Sequence, residues 1–314
     1  MRHSHAREFP RSPLRSPAPV RNVSADELGL GVTIRAAGDL PCEIRQDDRI
    51  LGLVRRLLDD GYAGVILCGP HGTGKTWYAA QVAAMLVDRD PERVRFVQFH
   101  PSYQYEDFVE GYVPDDEGGF VLKPKHLLEM CDTARTFRPK RCVLVIDELS
   151  RCDPSRVFGE ALTYMEMTRR EQPFRLASGT ETAIPTNLIF LATMNLYDRG
   201  VDDVDAAMER RFGKIAMDPD VQALQEILRS NGASAELVER VATFFRRLQA
   251  HVLPACRIGH AYFMTVRDTG SLRRLWDSQL RFHFERALQL DPQGYSELAR
   301  TWQAIFEGLS GESH

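Results

Sequence analysis

The chain has 314 residues, of which 43% are hydrophobic and 27% are charged, and its formal net charge at pH 7 is −4. These values are typical of a globular protein of about two domains, which can bury a large core without disulfide bonds. They exclude a strongly basic surface for nucleic acid, and no apolar stretch approaches the roughly 18 residues of a membrane span.

Residues 1–44 are predicted to form a disordered arm. Residues 1–22 contain five arginines and four prolines, and they lack the apolar central run of a secretory signal. The prolines forbid the amphipathic helix of a transit peptide. A weak nucleic-acid-binding or partner-binding arm is the alternative to plain disorder.

The six cysteines form no CxxC pair, so a zinc site is not expected. Cys68 and Cys142 stand within apolar runs, as small core residues do. With no membrane span and no secretory signal, these features predict a reduced, cytoplasmic protein.

Short apolar runs alternate with helical patterns over residues 45–218. The runs predicted to be strands are Val65–Cys68, Val94–Phe99, Cys142–Ile146, Leu188–Met194 and Ile215–Met217. Helices are predicted over Asp47–Asp59, Lys75–Val87, Lys125–Thr136, Arg156–Thr168 and Val204–Arg211. A hairpin or loop is predicted over Tyr112–Leu122, and a hairpin over Phe174–Pro185. The alternation predicts an α/β domain of three layers with a buried parallel sheet.

Beyond Pro219 the strand signal ends. Helical periodicity continues over Val221–Ser230, Ala235–Leu253, Leu272–Leu290 and Tyr295–Leu309. We therefore place a domain boundary near residue 218 and predict an all-helical second domain over residues 219–314.

The segment Gly69-Pro70-His71-Gly72-Thr73-Gly74-Lys75-Thr76 fits the phosphate-loop pattern GxxxxGK[ST] at every fixed position. It follows a predicted strand and opens a predicted helix, so a simple glycine-rich turn is the weaker interpretation. Backbone N–H groups of such a loop and the positive end of the helix bind phosphates. Lys75 is expected to reach the β- and γ-phosphates, and the Thr76 hydroxyl is expected to ligate Mg²⁺.

Two adjacent carboxylates, Asp147 and Glu148, end the predicted strand over Cys142–Ile146. Asp147 can hold the Mg²⁺ water shell opposite Thr76, and Glu148 can polarise a water in line with the γ-phosphate. A solvated pair at a strand end is the alternative. After a phosphate loop in an α/β pattern, the pair favours hydrolysis over nucleotide binding alone.

Asn195 follows the fourth predicted strand, and Arg210 and Arg211 end a predicted helix. The Asn195 amide could orient the attacking water, or it could merely turn the chain. The arginines suit the negative end of the helix dipole, or one of them could reach the γ-phosphate on a neighbouring subunit. The pattern does not choose between Arg210 and Arg211.

With these motifs the chain resembles the AAA+ nucleoside triphosphatases over about residues 45–310. More narrowly, it is similar to the motor subunits of McrBC-type modification-dependent restriction systems. The segments that carry this resemblance are Phe96–Tyr112, with its Tyr-Glu-Asp-Phe run, Ile146–Arg151, Phe158–Glu160, Thr193–Arg199 and Ile258–Met264.

The resemblance implies a Mg²⁺-dependent NTPase that assembles into a ring, usually a hexamer, with nucleotide between subunits. It implies a McrC-like nuclease partner that stimulates hydrolysis, and a role in restriction and anti-phage defence. By the same comparison Asn195 is the sensor residue, Arg210 or Arg211 acts in trans, and Asp198 and Arg199 organise the subunit interface.

The sequence also departs from the family pattern. About 45 residues precede the core, where such motors usually carry a domain that reads modified DNA, so contact with DNA is expected through the complex. This family of motors is unusual in using GTP, but no residue here reads out guanine, so ATP is the default from the wider AAA+ class. Arg257, Arg273 and Arg274 are candidate sensors in the helical domain, or plain surface arginines.

The chain has only five lysines, so each can be checked for the motif of a nuclease centre. A PD-(D/E)xK centre needs an acidic residue at the second position before a lysine, and none of the five lysines has one. DNA cleavage of this type must therefore come from a partner.

Two other functions stay open: a MoxR-like chaperone that remodels protein complexes, and a nucleotide-gated assembly scaffold. Glu106, Asp107 and Glu110 form an acidic cluster that is either a solvated loop face or an interface element.

Overall fold

A computed structural model describes residues 40–116, 118–195 and 206–307. These residues divide into two compact units. The first holds residues 40–68, 75–195 and 206–216, and the second holds residues 69–74 and 217–307. Most of the predicted arm over residues 1–44 lies outside the described residues, as do Asp198 and Arg199.

The first unit is built on a parallel sheet. The strands, in chain order, are β1 (Gly64–Cys68), β2 (Val94–Gln98), β3 (Glu110–Pro114), β4 (Phe120–Pro124), β5 (Cys142–Asp147), β6 (Phe174–Arg175), β7 (Glu181–Thr182), β8 (Leu188–Met194) and β9 (Phe212–Ala216). Five of them form one sheet in the order β2-β5-β8-β1-β9, and every neighbouring pair is parallel. The remaining four form two antiparallel hairpins, β3–β4 and β6–β7, as predicted.

Burial explains why the central strands read as continuous apolar runs. All residues of β1 and β8 are buried, and β5 is buried up to Asp147. Such runs are typical of strands covered on both faces. In β9, Lys214 and Ala216 face solvent. This exposure at the edge of the sheet interrupts the apolar run, and it explains why the predicted strand over Ile215–Met217 begins too late.

The helices of the first unit are α1 (Arg49–Asp59), α2 (Lys75–Leu86), α3 (Tyr105–Phe108), α4 (His126–Thr136), α5 (Pro154–Phe158), α6 (Ala161–Tyr164) and α7 (Ala206–Arg211). The single helix predicted over Arg156–Thr168 is wrong. The chain turns at Gly159, whose φ is +51°. A β-carbon at Gly159 would lie 2.8 Å from the Tyr105 ring. The break therefore lets the aromatic ring pack against bare backbone.

The second unit is helical where it is described after residue 216. Its helices are α8 (Val221–Ser230), α9 (Ala235–Gln249), α10 (Thr269–Leu275), α11 (Arg281–Ala287) and α12 (Pro292–Gln303). The helix predicted over Leu272–Leu290 contains a π-helical turn at Trp276–Leu280. Trp276 stacks on Trp302 there, with ring centroids 4.8 Å apart, so α12 is packed onto this turn. The fold is thus an α/β unit with a parallel sheet and a second, helical unit.

All six cysteines are free thiols, and burial raises the pKa of Cys142 and Cys256 to about 11. The thiols of Cys142 and Cys256 are therefore protonated at neutral pH. Among the described residues, no helix has both the length and the apolar character needed to cross a bilayer.

Candidate active site

Asp147 is the centre of a hydrogen-bonded group at the carboxyl edge of the sheet. The Thr76 hydroxyl donates to Asp147 Oδ1 at 2.9 Å, and the Thr193 hydroxyl donates to the same oxygen at 2.5 Å. Thr76 belongs to the first turn of α2, Asp147 ends β5, and Thr193 lies in β8. Folding therefore brings together the two residues, Thr76 and Asp147, that the sequence predicts as ligands of one metal ion.

These side chains fit a magnesium ion. Mg²⁺ prefers oxygen ligands, keeps several waters and is usually bound through one or two carboxylates. Thr76 is an exposed residue and Asp147 is a half-buried one, so neither residue is closed off from solvent. Because the two oxygens already lie within hydrogen-bonding distance, one ion could contact both.

Glu148 leaves the strand with an unusual backbone. Its φ of +57° and ψ of +46° lie in the left-handed region, and a short 3₁₀ turn over Leu149–Arg151 follows. Its backbone N–H donates a hydrogen bond to the Thr193 hydroxyl at 3.1 Å, and its carboxylate accepts one from Arg151 Nε at 3.3 Å. A non-glycine residue in this region is held by its surroundings, and such residues cluster at functional sites.

Thr193 is the residue that the sequence analysis missed, since it singled out only the following Asn195. The parallel register of the folded sheet explains the contact, since Ile146 of β5 lies opposite Ala192 of β8. The next residues along the two strands are Asp147 and Thr193. The Thr193 hydroxyl therefore connects the strand-end carboxylate to the backbone of Glu148.

Asn195 follows β8 directly and is only 1% exposed. It lies two residues after Thr193, at the end of the strand that neighbours β5. Buried side-chain amides are almost always hydrogen-bonded, so this residue is held in one orientation. Its position after β8 is compatible with the predicted sensor role.

Local packing explains the conformation of the phosphate loop. Gly72 and Gly74 have φ values of +77° and +80°, which other residues rarely adopt. A β-carbon on Gly69 would lie 2.2 Å from the carbonyl oxygen of Met217. The Thr73 hydroxyl donates to the Pro70 carbonyl at 3.1 Å. The glycines of the motif are therefore required by the loop itself.

The segment Ile258–Met264 holds the same loop through backbone hydrogen bonds. The N–H groups of Gly259 and Ala261 donate to the carbonyls of His71 and Gly72, at 2.9 and 2.8 Å. The carbonyl and the N–H of a trans peptide point in opposite directions. The N–H groups of Gly72 and Thr73 therefore face away from this segment, where they could bind an anion.

The two candidate arginines have opposite environments. The Arg210 side chain is 69% exposed, whereas that of Arg211 is 7% exposed. Their Nη2 atoms lie 3.2 and 3.9 Å from the same oxygen, Oε2 of Glu166. Of the two, Arg210 is the one that presents a guanidinium group to solvent.

The acidic cluster has largely structural roles. Buried Glu110 accepts hydrogen bonds from the backbone N–H and the hydroxyl of Ser178, at 3.1 and 2.9 Å. Asp107 accepts from Gln104 N at 3.0 Å and so completes a capping box on α3. Glu106 alone is left as an exposed candidate for an interface.

Two of the candidate sensor arginines in the second unit contact neighbouring groups of that unit. Arg257 donates to the His251 carbonyl through Nε and Nη2, at 3.1 and 3.0 Å. The Arg273 guanidinium lies 3.9 Å from the centre of the Phe306 ring. These contacts favour a packing role for both residues.

Comparison with known proteins agrees with this geometry. Residues 64–212 match the AAA domain of the dynein-related subfamily. Over 223 residues, 66% of its length, the chain is 33% identical to the type IV methyl-directed restriction enzyme EcoKMcrB subunit of Escherichia coli (strain K12), covering 48% of that protein. It is 24% identical to the type II restriction enzyme BsuMI component YdiS of Bacillus subtilis (strain 168) over 187 residues, 47% of this chain and 54% of that one. The chain thus spans about half the length of the curated relatives it matches.

A crystal structure described as an ATPase from Cytophaga hutchinsonii can also be aligned with this chain. The alignment covers 73% of this chain and 57% of the other, with a TM-score of 0.37 and 15% sequence identity. So distant a likeness adds nothing to the assignment. An AAA domain is a nucleotide-binding domain, and here it contains the residue-level features of such a site. The matched domain and the relative at 33% identity show that residues 64–212 form an AAA domain and that the chain is similar to a McrB subunit.

Proposed function

We propose that this chain is a Mg²⁺-dependent nucleoside triphosphatase and the ring-forming motor subunit of a McrBC-like restriction complex. One observation carries the enzymatic part: Asp147, at the end of a buried strand, hydrogen-bonds Thr76 of the phosphate-loop motif, and Glu148 stands next to it. This arrangement suits hydrolysis better than nucleotide binding alone.

Different residues of the chain have different roles in the proposed reaction. Residues Gly69–Gly74 and Lys75 bind the phosphates, and Thr76 with Asp147 holds the metal ion. When bound, Mg²⁺ would neutralise charge on the phosphate oxygens. Glu148 accepts a proton from the attacking water, and Asn195 orients that water. ATP is the default triphosphate, and GTP is the alternative.

An exposed arginine supports the proposed assembly. Arg210 projects its guanidinium to solvent at the end of α7. An arginine that stabilises charge on a neighbour's γ-phosphate must be accessible in this way, and such arginines contribute about 10³-fold or more to turnover. We therefore assign the trans-acting role to Arg210 in a ring, with a hexamer as the expected size.

The relatives support a restriction role over a MoxR-like chaperone or a scaffold, since both curated proteins are named as restriction enzyme components. Because no lysine has the acidic neighbour of a PD-(D/E)xK centre, the proposed nuclease is a McrC-like partner, and DNA is reached through the complex. A cytoplasmic location and a role in anti-phage defence stay predictions.

Lys75→Ala tests the proposed nucleotide site. Lys75 is only 8% exposed and opens α2, where its charge is required by the phosphates. We expect at least about 100-fold weaker binding of ATP and GTP in a direct titration, because a charge-assisted contact is lost. Exposed Lys140→Ala is the matched control and should bind as the wild type does. Equal binding by all three proteins would contradict the proposed function.

A further inference from the structure

One carboxylate lies beside both arginines at the end of α7. Oε2 of Glu166 is 3.2 Å from Arg210 Nη2 and 3.9 Å from Arg211 Nη2. Glu166 is partly exposed, with 32% of its side chain accessible. It follows α6 in the chain and lies 44 residues from Arg210, so folding of the first unit brings the two residues together.

The backbone that carries Glu166 is firmly held. Met165 is fully buried, and its carbonyl accepts a hydrogen bond from Arg170 Nε at 2.6 Å. Arg170 is itself 5% exposed and also donates to the carbonyls of Pro185 and Leu188. Glu166 therefore projects from a rigid point of the first unit.

The two arginines of this contact differ in how firmly they are held, since Arg211 is buried and Arg210 is exposed. Arg211 is buried, and its carbonyl accepts from Ala63 N at 3.0 Å, which ties the end of α7 to the residue before β1. The exposed Arg210 side chain would otherwise sample many rotamers, and an arginine carries about 2 kcal/mol of such entropy. The contact with Glu166 uses one of the five donors of a guanidinium, and the fork geometry allows others to face outward.

We propose that Glu166 is a positioning residue for Arg210, and that it holds this guanidinium in the direction in which it meets the γ-phosphate of a neighbouring subunit. The proposal rests on the proposed function, because it assumes that Arg210 acts in trans. Glu166 contacts no reacting atom. Its effect is to restrict Arg210, so it changes the rate of turnover and leaves the affinity for nucleotide unchanged.

A double-mutant cycle on the full chain tests this role. The four proteins are the wild type, Glu166→Lys, Arg210→Ala and the double variant, each assayed for kcat, triphosphate Kd and Tm. A lysine at position 166 repels both arginines, so we expect kcat to fall about tenfold with Kd within twofold of the wild type. Arg210→Ala should lower kcat by about 10³-fold. The double variant should be no slower than Arg210→Ala, because Glu166 acts only through that arginine.

The control is Glu236→Lys, which replaces another surface glutamate paired with an arginine, Arg240, at 2.7 Å in the second unit. It should keep wild-type kcat. Two results would overturn the proposal: unchanged turnover in Glu166→Lys, or a further tenfold loss when it is added to Arg210→Ala, which would reveal a structural effect. Wild-type turnover by Arg210→Ala is a different outcome, since it would remove the trans-acting role itself.

Discussion

Arg170 illustrates how a single charged residue can organise the core. Its guanidinium donates to the carbonyls of Met165, Pro185, Leu188 and Ala63, which belong to separate segments of the first unit. Burial lowers the pKa of Arg170 to about 10, so the side chain is still charged at neutral pH. The adjacent Arg169 is exposed, so of this pair of arginines only Arg170 is buried.

Arg170→Ala should lower the free energy of unfolding by about 3 kcal/mol or more, because several buried carbonyls lose charged hydrogen bonds. The adjacent Arg169→Ala is the matched control, since Arg169 is exposed, and it should change stability by less than about 0.5 kcal/mol. Urea denaturation followed by circular dichroism measures both. Equal stabilities of the two variants would show that the Arg170 contacts contribute nothing.

At the scale of elements, the inner strand β1, which lies between β8 and β9, requires a glycine at its start. A β-carbon on Gly64 would lie 2.2 Å from the Phe190 carbonyl oxygen of β8 and 2.8 Å from the Phe212 ring of β9. Gly64 lies in register with both residues. The strand that leads into the phosphate loop is therefore packed too closely for any side chain at this point.

Gly64→Ala should destabilise the protein by about 2 kcal/mol or more, because both neighbouring strands would have to shift. Gly52→Ala is the control in α1, where the nearest atom to the added carbon is Arg56 Nη1 at 3.9 Å. That change should be neutral or stabilising by about 0.5–1 kcal/mol, since alanine favours a helix. Thermal unfolding of both variants decides the matter, and an unaffected Tm in Gly64→Ala would refute the packing argument.

Helix α4 begins with a histidine that adds a pH dependence to stability. Burial, and then the positive charge of Arg95, lowers the pKa of His126 below its usual value near 6.5. Its Nδ1 has no hydrogen-bond partner within the described part of the chain, and the nearby carboxylates of Glu129 and Asp107 offset the lowering of the pKa only in part. The unfolded chain therefore binds the proton more readily than the folded protein does. The contribution of neutral His126 to the free energy of unfolding is therefore complete above pH 6.5, and it is lost as the pH falls below that value.

The variant His126→Leu should accordingly lose less Tm than the wild type between pH 7.5 and pH 5.5. Burial lowers the pKa of His260 and His283 as well, so some pH dependence should persist in the variant. Parallel Tm curves for the two proteins over this range would contradict a role for His126.

Much of the element pattern is visible in the sequence because burial on both faces makes β1, β5 and β8 continuously apolar. The phosphate loop is visible for a similar reason, since its glycines are required by local geometry. Long-range pairing is not visible in this way. Thr193 contacts Asp147 only through the strand order β5-β8, and the break at Gly159 depends on Tyr105, which is distant in the sequence. The difference between Arg210 and Arg211 likewise depends on burial in the folded unit.

At the scale of the whole molecule, the proposed active site brings Thr76 of α2 to the end of β5. The hydrogen bonds of Asp147 to Thr76 and Thr193 support a metal site, and the left-handed Glu148 lies beside them. If Arg210 of one subunit completes the site of the next, hydrolysis depends on assembly. Glu148 belongs to this chain, so its proposed role can be tested on the purified protein without a nuclease partner.

The most direct measurement is single-turnover hydrolysis of bound triphosphate by Glu148→Gln. Glutamine keeps the shape of the side chain and cannot accept the proton of the attacking water, so we predict that hydrolysis slows at least about 100-fold. Triphosphate affinity should stay at the wild-type value, and Glu297→Gln, an exposed carboxylate in α12, should hydrolyse normally. Hydrolysis at the wild-type rate by Glu148→Gln would contradict the assignment of this strand end as the catalytic centre.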